Sequence, residues 1–405
     1  MLNVVNTILP YIHRWRSLEI LTDVWAPMFV ALSHINPFIL SLGAQRLEYL
    51  ALSRCNEFAS FSPDFYPESM KEESFFTPND CIVPVQYCNT LLPNLRHLKL
   101  QGVHVHWSML NLMLTRQNDV SLVSLELDYH SYDVRPSLEE FRQLLSSNPQ
   151  LEMLKIRGSG PFASDADDDV TLVHHDYRFI HLPSLKNVTL GYHDIPECQT
   201  ILELLDAPNT WRLHLEDESY KAEPEVLDAS SILSFLATGV FSDVKHKSPS
   251  ARVAFPGLTS LSLSSVKTGK RSFNAFLNSV KNLRDLTLNS MNLDEVLCSL
   301  LPSDSNTPDN SILCPCPRLD KATLINVRPG CGPRYYSSLS DIDGKRREHG
   351  STSLQCEVRE IVLEHDDEDI NMDFELNEGF ELDEGSEFLS DYIDDLESDR
   401  SIMIY

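Results

Sequence analysis

The chain has 405 residues, 42% of them hydrophobic, with 60 acidic against 33 basic side chains and a formal net charge of −27. That balance excludes a general nucleic-acid binder, which needs a basic face to neutralise phosphates. The charge is also uneven: Glu364–Tyr405 holds 17 acidic residues and one basic one, Arg400, so residues 1–363 are only mildly acidic. Nine scattered cysteines, with no basic and apolar leader in Met1–Pro10, fit the reduced thiols of a cytoplasmic or nuclear protein.

In chain order, Tyr11–Leu21 (YIHRWRSLEIL) reads as a first strand, with Trp15 at an apolar repeat position. The uncharged run Val24–Gln45 is long enough to raise a membrane span, but Pro27, Ser33, His34, Asn36 and Pro37 make insertion costly. It reads instead as a buried helix, Trp25–Leu32, followed by a loop, and no membrane partner is expected. Arg46–Leu52 is a second strand. Arg54–Asn89 is broken by Pro63, Pro67, Pro78 and Pro84 and carries Phe58, Phe61, Phe65, Tyr66, Phe75 and Phe76. Two readings of it stand: a surface insertion pinned by its aromatics, or a partner-binding loop.

The organising unit follows. Pro93–Val103 (PNLRHLKLQGV) places Leu98 and Leu100 on one face of a short strand, Leu95 just before it and Val103 just after. Pro256–Val266, Lys281–Met291, Pro149–Ile156, Pro183–Leu190, Pro317–Leu324 and Ser121–Leu127 repeat the frame, with weaker copies at Arg16–Ile20, Asn209–Leu215 and Val358–Leu363. The middle apolar positions are Leu18, Leu50, Leu98, Leu125, Leu154, Val188, Leu213, Leu261, Leu286, Ala322 and Ile361, spaced 25 to 48 residues apart. No single unit buries its apolar side alone, so the copies must stack. The pattern predicts an α/β leucine-rich-repeat solenoid over 1–363, with short parallel strands lining a concave sheet and helices and loops on the convex side. Inserted loops fall near 54–90, 216–255 and 303–353. The asparagine that closes many such repeats is replaced by Val103, Val266, Met291, Val327 and Cys55, which predicts irregular curvature.

Helical returns are expected at Ser108–Leu114, Ser137–Leu145, Thr200–Leu205, Ser231–Leu236, Phe273–Val280 and Leu293–Leu301. Ser137-x-x-Glu140 and Thr200-x-x-Glu203 read as capping boxes. Gly330–Ser353 reads as a loop before the last strand. Residues 364–405 read as an acidic, disordered tail: Phe374 and Phe380 sit in a near repeat, and Glu387–Asp399 has the spacing of a short amphipathic helix. Such a tail either folds on a partner or stays solvated.

Chemical motifs are sparse. Asp165–Asp169 starts like a calcium loop but has Val170 where Gly is needed and Asp176 where a bidentate Glu is needed, so it reads as a solvated loop. Cys314 and Cys316 with Cys331 lack the zinc ligand gap. His104 and His106 share a side without further ligands, and His174-His175 offers no more. Gly158-Ser-Gly160 has no lysine of a phosphate loop behind it, and Lys345–Arg347 reads as a loop charge cluster. No enzyme, metal or cofactor is expected, the alternative being a hydrolase or metal enzyme with its site in the inserted loops. What remains is the exposed row of the sheet: His97 and Lys99, Glu126 and Asp128, Lys155 and Arg157, Asn187 and Thr189, Arg212 and His214. These alternating bands suit a charged protein ligand on the concave face, or else pair with each other.

Tyr11–Leu18, Leu92–Leu100 and Leu138–Leu154 (LEEFRQLLSSNPQLEML) together resemble the F-box/leucine-rich-repeat-like proteins of mushroom-forming fungi, over roughly residues 8–330. The resemblance implies a ubiquitin-ligase substrate receptor, with an F-box docking the Skp adaptor of a cullin–RING ligase and the repeats holding a protein substrate. Here Leu9-Pro10 runs straight into the expected first strand, leaving no room for that module. Skp adaptor and cullin are therefore expected as partners only where an F-box is supplied. The chain is then either a shortened receptor or a relative without ligase docking.

Overall fold

The computed structural model describes residues 2–55, 64–71, 74–76, 91–114, 121–161, 179–219, 227–239, 254–291, 299–301, 303–304, 312–326 and 341–359. They fall within one compact unit, Met1–Ile361. The amphipathic tail segment, Asp165–Asp169, His174-His175, Cys331 and most of Leu293–Leu301 lie outside the described residues.

Eleven strands form one sheet in strict chain order. They are β1 (Ser17–Thr22), β2 (Tyr49–Arg54), β3 (His97–Gln101), β4 (Ser124–Asp128), β5 (Met153–Arg157) and β6 (Asn187–Tyr192). β7 (Arg212–Asp217), β8 (Ser260–Ser264), β9 (Asp285–Asn289), β10 (Lys321–Ile325) and β11 (Gln355–Arg359) continue it. Every neighbouring pair is parallel. A parallel sheet in chain order requires each strand to return by the same side, which is a solenoid and not a doubly wound sheet. The fold is an α/β leucine-rich-repeat solenoid.

One register runs through it. Leu18, Leu50, Leu98, Leu125, Leu154, Val188, Leu213, Leu261, Leu286, Ala322 and Cys356 are successive partners. The last differs from expectation: the final strand is Gln355–Arg359, so Cys356 takes the place assigned to Ile361, which lies outside the described residues. Each buried leucine contributes about 2 kcal/mol, and the residues between point to the open face. The helices α3 (Trp107–Leu114), α4 (Leu138–Ser146), α5 (Ile195–Leu204), α6 (Ser230–Thr238) and α7 (Lys270–Ser279) close the other side. Leu110, Phe141, Leu144, Ile201, Leu233, Phe276 and Leu277 join the strand leucines in a single core.

The repeats are stitched by backbone at both strand ends. Before the strands, one carbonyl takes two N–H groups from the next repeat: Arg16 O accepts from Glu48 and Tyr49, and Glu152 O from Lys186 and Asn187. After the strands, Gly102, Tyr129, Gly158, Ser265, Ser290 and Asn326 all adopt positive φ, between 47° and 59°. Each donates its N–H to a carbonyl of the following repeat, at 2.7–3.3 Å. This left-handed residue turns the chain out of the strand and bridges repeats. The next position is then free to be apolar, which is why buried Val103 and Val266 stand where asparagine closes many such repeats.

Four other expectations change. Tyr11–Trp15 is not strand: α1 (Leu2–Ile8) and a 3-10 helix (Leu9–Arg14) precede β1, because Pro10 suits a first helical turn and Leu9 and Ile12 bury inward. α2 (Trp25–Leu42) continues past Leu32 and through Pro37, since burying Ile35, Ile39 and Leu40 outweighs one lost hydrogen bond. α2 is long and apolar enough to cross a membrane, yet Trp25, Met28, Ala31 and Leu32 are also buried in the core. α5 starts earlier than Thr200. Asp194 accepts from Glu197 N–H at 2.6 Å with Pro196 in the first turn, so Thr200 and Glu203 fall inside the helix. The box at Ser137 and Glu140 forms as read. Finally, 341–348 is helical rather than loop. Its fully buried Arg346 donates to the carbonyls of Leu300, Pro315 and Cys316, while Arg347 pairs with Asp343.

Candidate functional site: the open strand face

Alternation puts three residues of each strand on the face opposite the helices. The first row runs Tyr49, His97, Ser124, Met153, Asn187, Arg212 and Ser260, and the second Ala51, Lys99, Glu126, Lys155, Thr189, His214 and Ser262. The third holds Gln101, Asp128, Arg157, Gly191 and Glu216. All eight residues singled out from the sequence, His97, Lys99, Glu126, Asp128, Lys155, Arg157, Arg212 and His214, sit on this face.

Their charges are not equally available. Lys155 Nζ lies 3.2 Å from Glu126 Oε2 and 2.7 Å from Asp128 Oδ2, so one cation holds both carboxylates of the neighbouring strand. Asp128 is buried, and burial raises its pKa against the opposing pull of Lys155. Arg157 Nη1 donates to Tyr129 OH at 3.1 Å, and that hydroxyl donates to Glu218 Oε1 at 3.0 Å. His214 Nε2 lies 3.7 Å from Glu216 Oε2. The bands of β4 and β5 thus pair with each other, while His214 and Glu216 meet within β7. Lys99 and Arg212 are the exceptions: neither makes an ion pair among the described residues. The Arg212 guanidinium instead lies 4.9 Å from the centre of the Trp211 ring.

Behind the strand ends lies a buried polar layer that spacing did not reveal. Arg135 reaches His130 O (3.0 Å), Gly158 O (2.6 Å) and Glu197 Oε1 (3.2 Å), and Gly160 N–H donates to the same Glu197 oxygen at 2.7 Å. Burial pushes the Glu197 pKa up, with Arg135 opposing. His130 bonds Ser159 Oγ at 2.9 Å, and burial, then Arg135, push its pKa down to about 3. Gly158-Ser-Gly160 lies in this layer. A Cβ on Gly158 would sit 2.4 Å from His193 Nε2, and one on Gly160 would sit 2.7 Å from Glu197 Oε1. The glycines mark close packing, not a phosphate loop.

The insertion after β2 is anchored by its aromatics as far as it is described. Phe65, Phe75 and Phe76 are buried, whereas Tyr66 is exposed and Phe58 and Phe61 lie outside the described residues. Phe65 N–H donates to both Asp133 oxygens (2.9 and 3.0 Å), and Lys71 pairs with Asp133 at 2.9 Å. Arg54, wholly buried, donates to Tyr66 O at 2.8 Å and lies over the Phe65 ring, its pKa lowered by burial to about 10. His104 packs against Phe65, and His106 Nδ1 accepts from Met109 N–H at 3.3 Å, capping α3. These two imidazoles serve packing and capping separately. Among the described residues no group of three His, Cys, Asp or Glu side chains is placed to hold a metal ion. The cysteines described are free thiols, with Cys198 and Cys316 buried.

The sequence matches no family model and no curated protein. Among solved structures, the chain is similar to the leucine-rich repeat-containing protein LegL7 from Legionella pneumophila, at 13% identity and a TM-score of 0.36, over 85% of this chain and 91% of that one.

Proposed function

We propose that this chain is a protein-interaction scaffold whose open strand face holds a protein substrate, as the recognition part of an F-box-type ubiquitin-ligase receptor working in the cytoplasm or nucleus. The observation that carries the binding reading is the face itself. It spans eleven strands of polar and charged side chains over one continuous leucine core. Such a surface is broad, rigid and patterned, which suits a macromolecule better than a small substrate. The ligase role rests on the resemblance of the repeats alone. In this reading residues 1–363 are the receptor and the acidic segment 364–405 is a separate tail.

A second reading is a scaffold without ligase docking, in which residues 2–14 serve the solenoid itself. They form a helix and a 3-10 turn leading directly into β1, with Leu9 and Ile12 in the solenoid core.

The test is affinity purification of the full chain from its native cells, beside a variant with Met153→Arg on the open face and one with Gln143→Arg on the helical side. Recovery of a Skp adaptor and cullin supports the receptor role; reproducible partners without them overturn it and leave the scaffold. Partners lost with Met153→Arg but kept with Gln143→Arg support the open face as the binding surface. Partners retained by both contradict it.

A further inference from the structure

The pairing of charges on the open face points to the chemistry of its partner, and this rests on the open face being the binding surface. Between β3 and β7 the carboxylates of the three outward rows, Glu126, Asp128 and Glu216, each have a cation or imidazole from the same face beside them. Lys155 takes both Glu126 and Asp128, and that leaves Lys99, the other register partner of Glu126, without an ion pair among the described residues. Arg212 is likewise unpaired and exposed, its guanidinium held against Trp211. Counted over the outward rows, Lys99, Lys155, Arg157 and Arg212 stand against Glu126, Asp128 and Glu216, so this stretch carries a formal charge of +1 although the chain as a whole is strongly negative. Between the two cations lies Met153, 40% exposed, the one large apolar side chain of the outward rows there.

We infer that β3–β7 form a docking site for an extended acidic peptide segment that crosses the strands, with one carboxylate at Lys99, an apolar side chain on Met153 and a second carboxylate at Arg212. Four strand spacings separate Lys99 from Arg212, about 19 Å, with an offset of two residues along the strands. An extended chain advances about 3.3 Å per residue, so the two carboxylates stand about six residues apart. Trp211 stiffens the Arg212 side chain by stacking, which lowers the ordering cost of gripping a carboxylate. The remaining negative charge of the protein does not prevent this, because at physiological salt interactions between exposed charges are largely screened beyond about 8 Å. Trp, Arg and Met are also enriched where interface energy concentrates.

The experiment uses the full chain and fluorescein-labelled peptides in a Ser/Gly background, read by anisotropy at physiological salt. One peptide carries two Asp about six residues apart flanking a central Leu; the others replace both Asp by Asn, or both by Lys. The Asp peptide binds, and the Asn and Lys peptides bind at least tenfold more weakly. Lys99→Ala and Arg212→Ala each weaken Asp-peptide binding about fivefold, while Thr287→Ala on β9 does not. All variants are first shown to melt at the wild-type temperature. Equal binding of Asp and Asn peptides, or undiminished binding in the Lys99→Ala/Arg212→Ala double variant, overturns the inference. If the acidic preference fails while Met153→Arg still removes cellular partners, the open face stands and only the acidic partner falls. If no substitution on the face changes partner recovery, both fall.

Discussion

At the level of single residues, the protein spends its charges on itself before it offers any to a partner. Lys155 is the clearest case, because Asp128 is buried and depends on it. Lys155→Met leaves that carboxylate without its cation and is expected to cost about 3 kcal/mol in urea unfolding. Adding Asp128→Asn recovers most of the loss, because a neutral amide needs no cation. A neutral effect of Lys155→Met would show that the pair contributes nothing. His104 gives a pH dependence whose sign follows from its site. Burial holds its pKa near 4 in the fold, Asp133 opposing, whereas the unfolded chain takes up the proton near 6.5. The unfolded state therefore binds more protons between those values, and this group's stabilisation, present above about 6.5, is lost as pH falls toward 4. His104→Leu removes the contribution. Its unfolding free energy relative to wild type should rise by up to ~3 kcal/mol between pH 7 and 4; parallel pH profiles would contradict this.

Among the secondary-structure elements, legibility tracked how local the cause was. The strand leucines from Leu18 to Leu286 could be placed because a period of two plus fixed flanking residues is written within about ten residues of chain. The cap at Ser137 was readable for the same reason, and Ser137→Ala should cost about 1 kcal/mol in thermal or urea unfolding, with Glu140→Gln milder. The start of α5 was misplaced because Thr200-x-x-Glu203 mimics a box while Asp194 and Pro196 supply the actual start. The polar layer was hidden because its partners are remote in sequence: 62 residues separate Arg135 from Glu197 and 89 separate Tyr129 from Glu218. Outward strand positions were predictable, but not which of them neutralise each other. That choice depends on side-chain reach across strands, and Lys155 decided it.

For the whole molecule, the architecture explains why a chain with so few chemical motifs has a definable surface. Stacked repeats convert a leucine pattern into one long core on one side and a rigid polar face on the other. Backbone bridges from the left-handed residues after the strands fix the spacing, so the face presents its side chains at about 4.8 Å intervals. On the proposal above, specificity resides in charges that make no ion pair among the described residues, which from β3 to β7 are Lys99 and Arg212, around Met153. The most direct measurement of this account is site-specific photo-cross-linking of the full chain in its native cells, with the photoreactive residue placed at Met153 or Lys99 on the open face, or at Gln143 on α4. Covalent partner bands from Met153 and Lys99, and none from Gln143, are predicted. Bands from Gln143 alone would put the partner on the helical side and contradict the account.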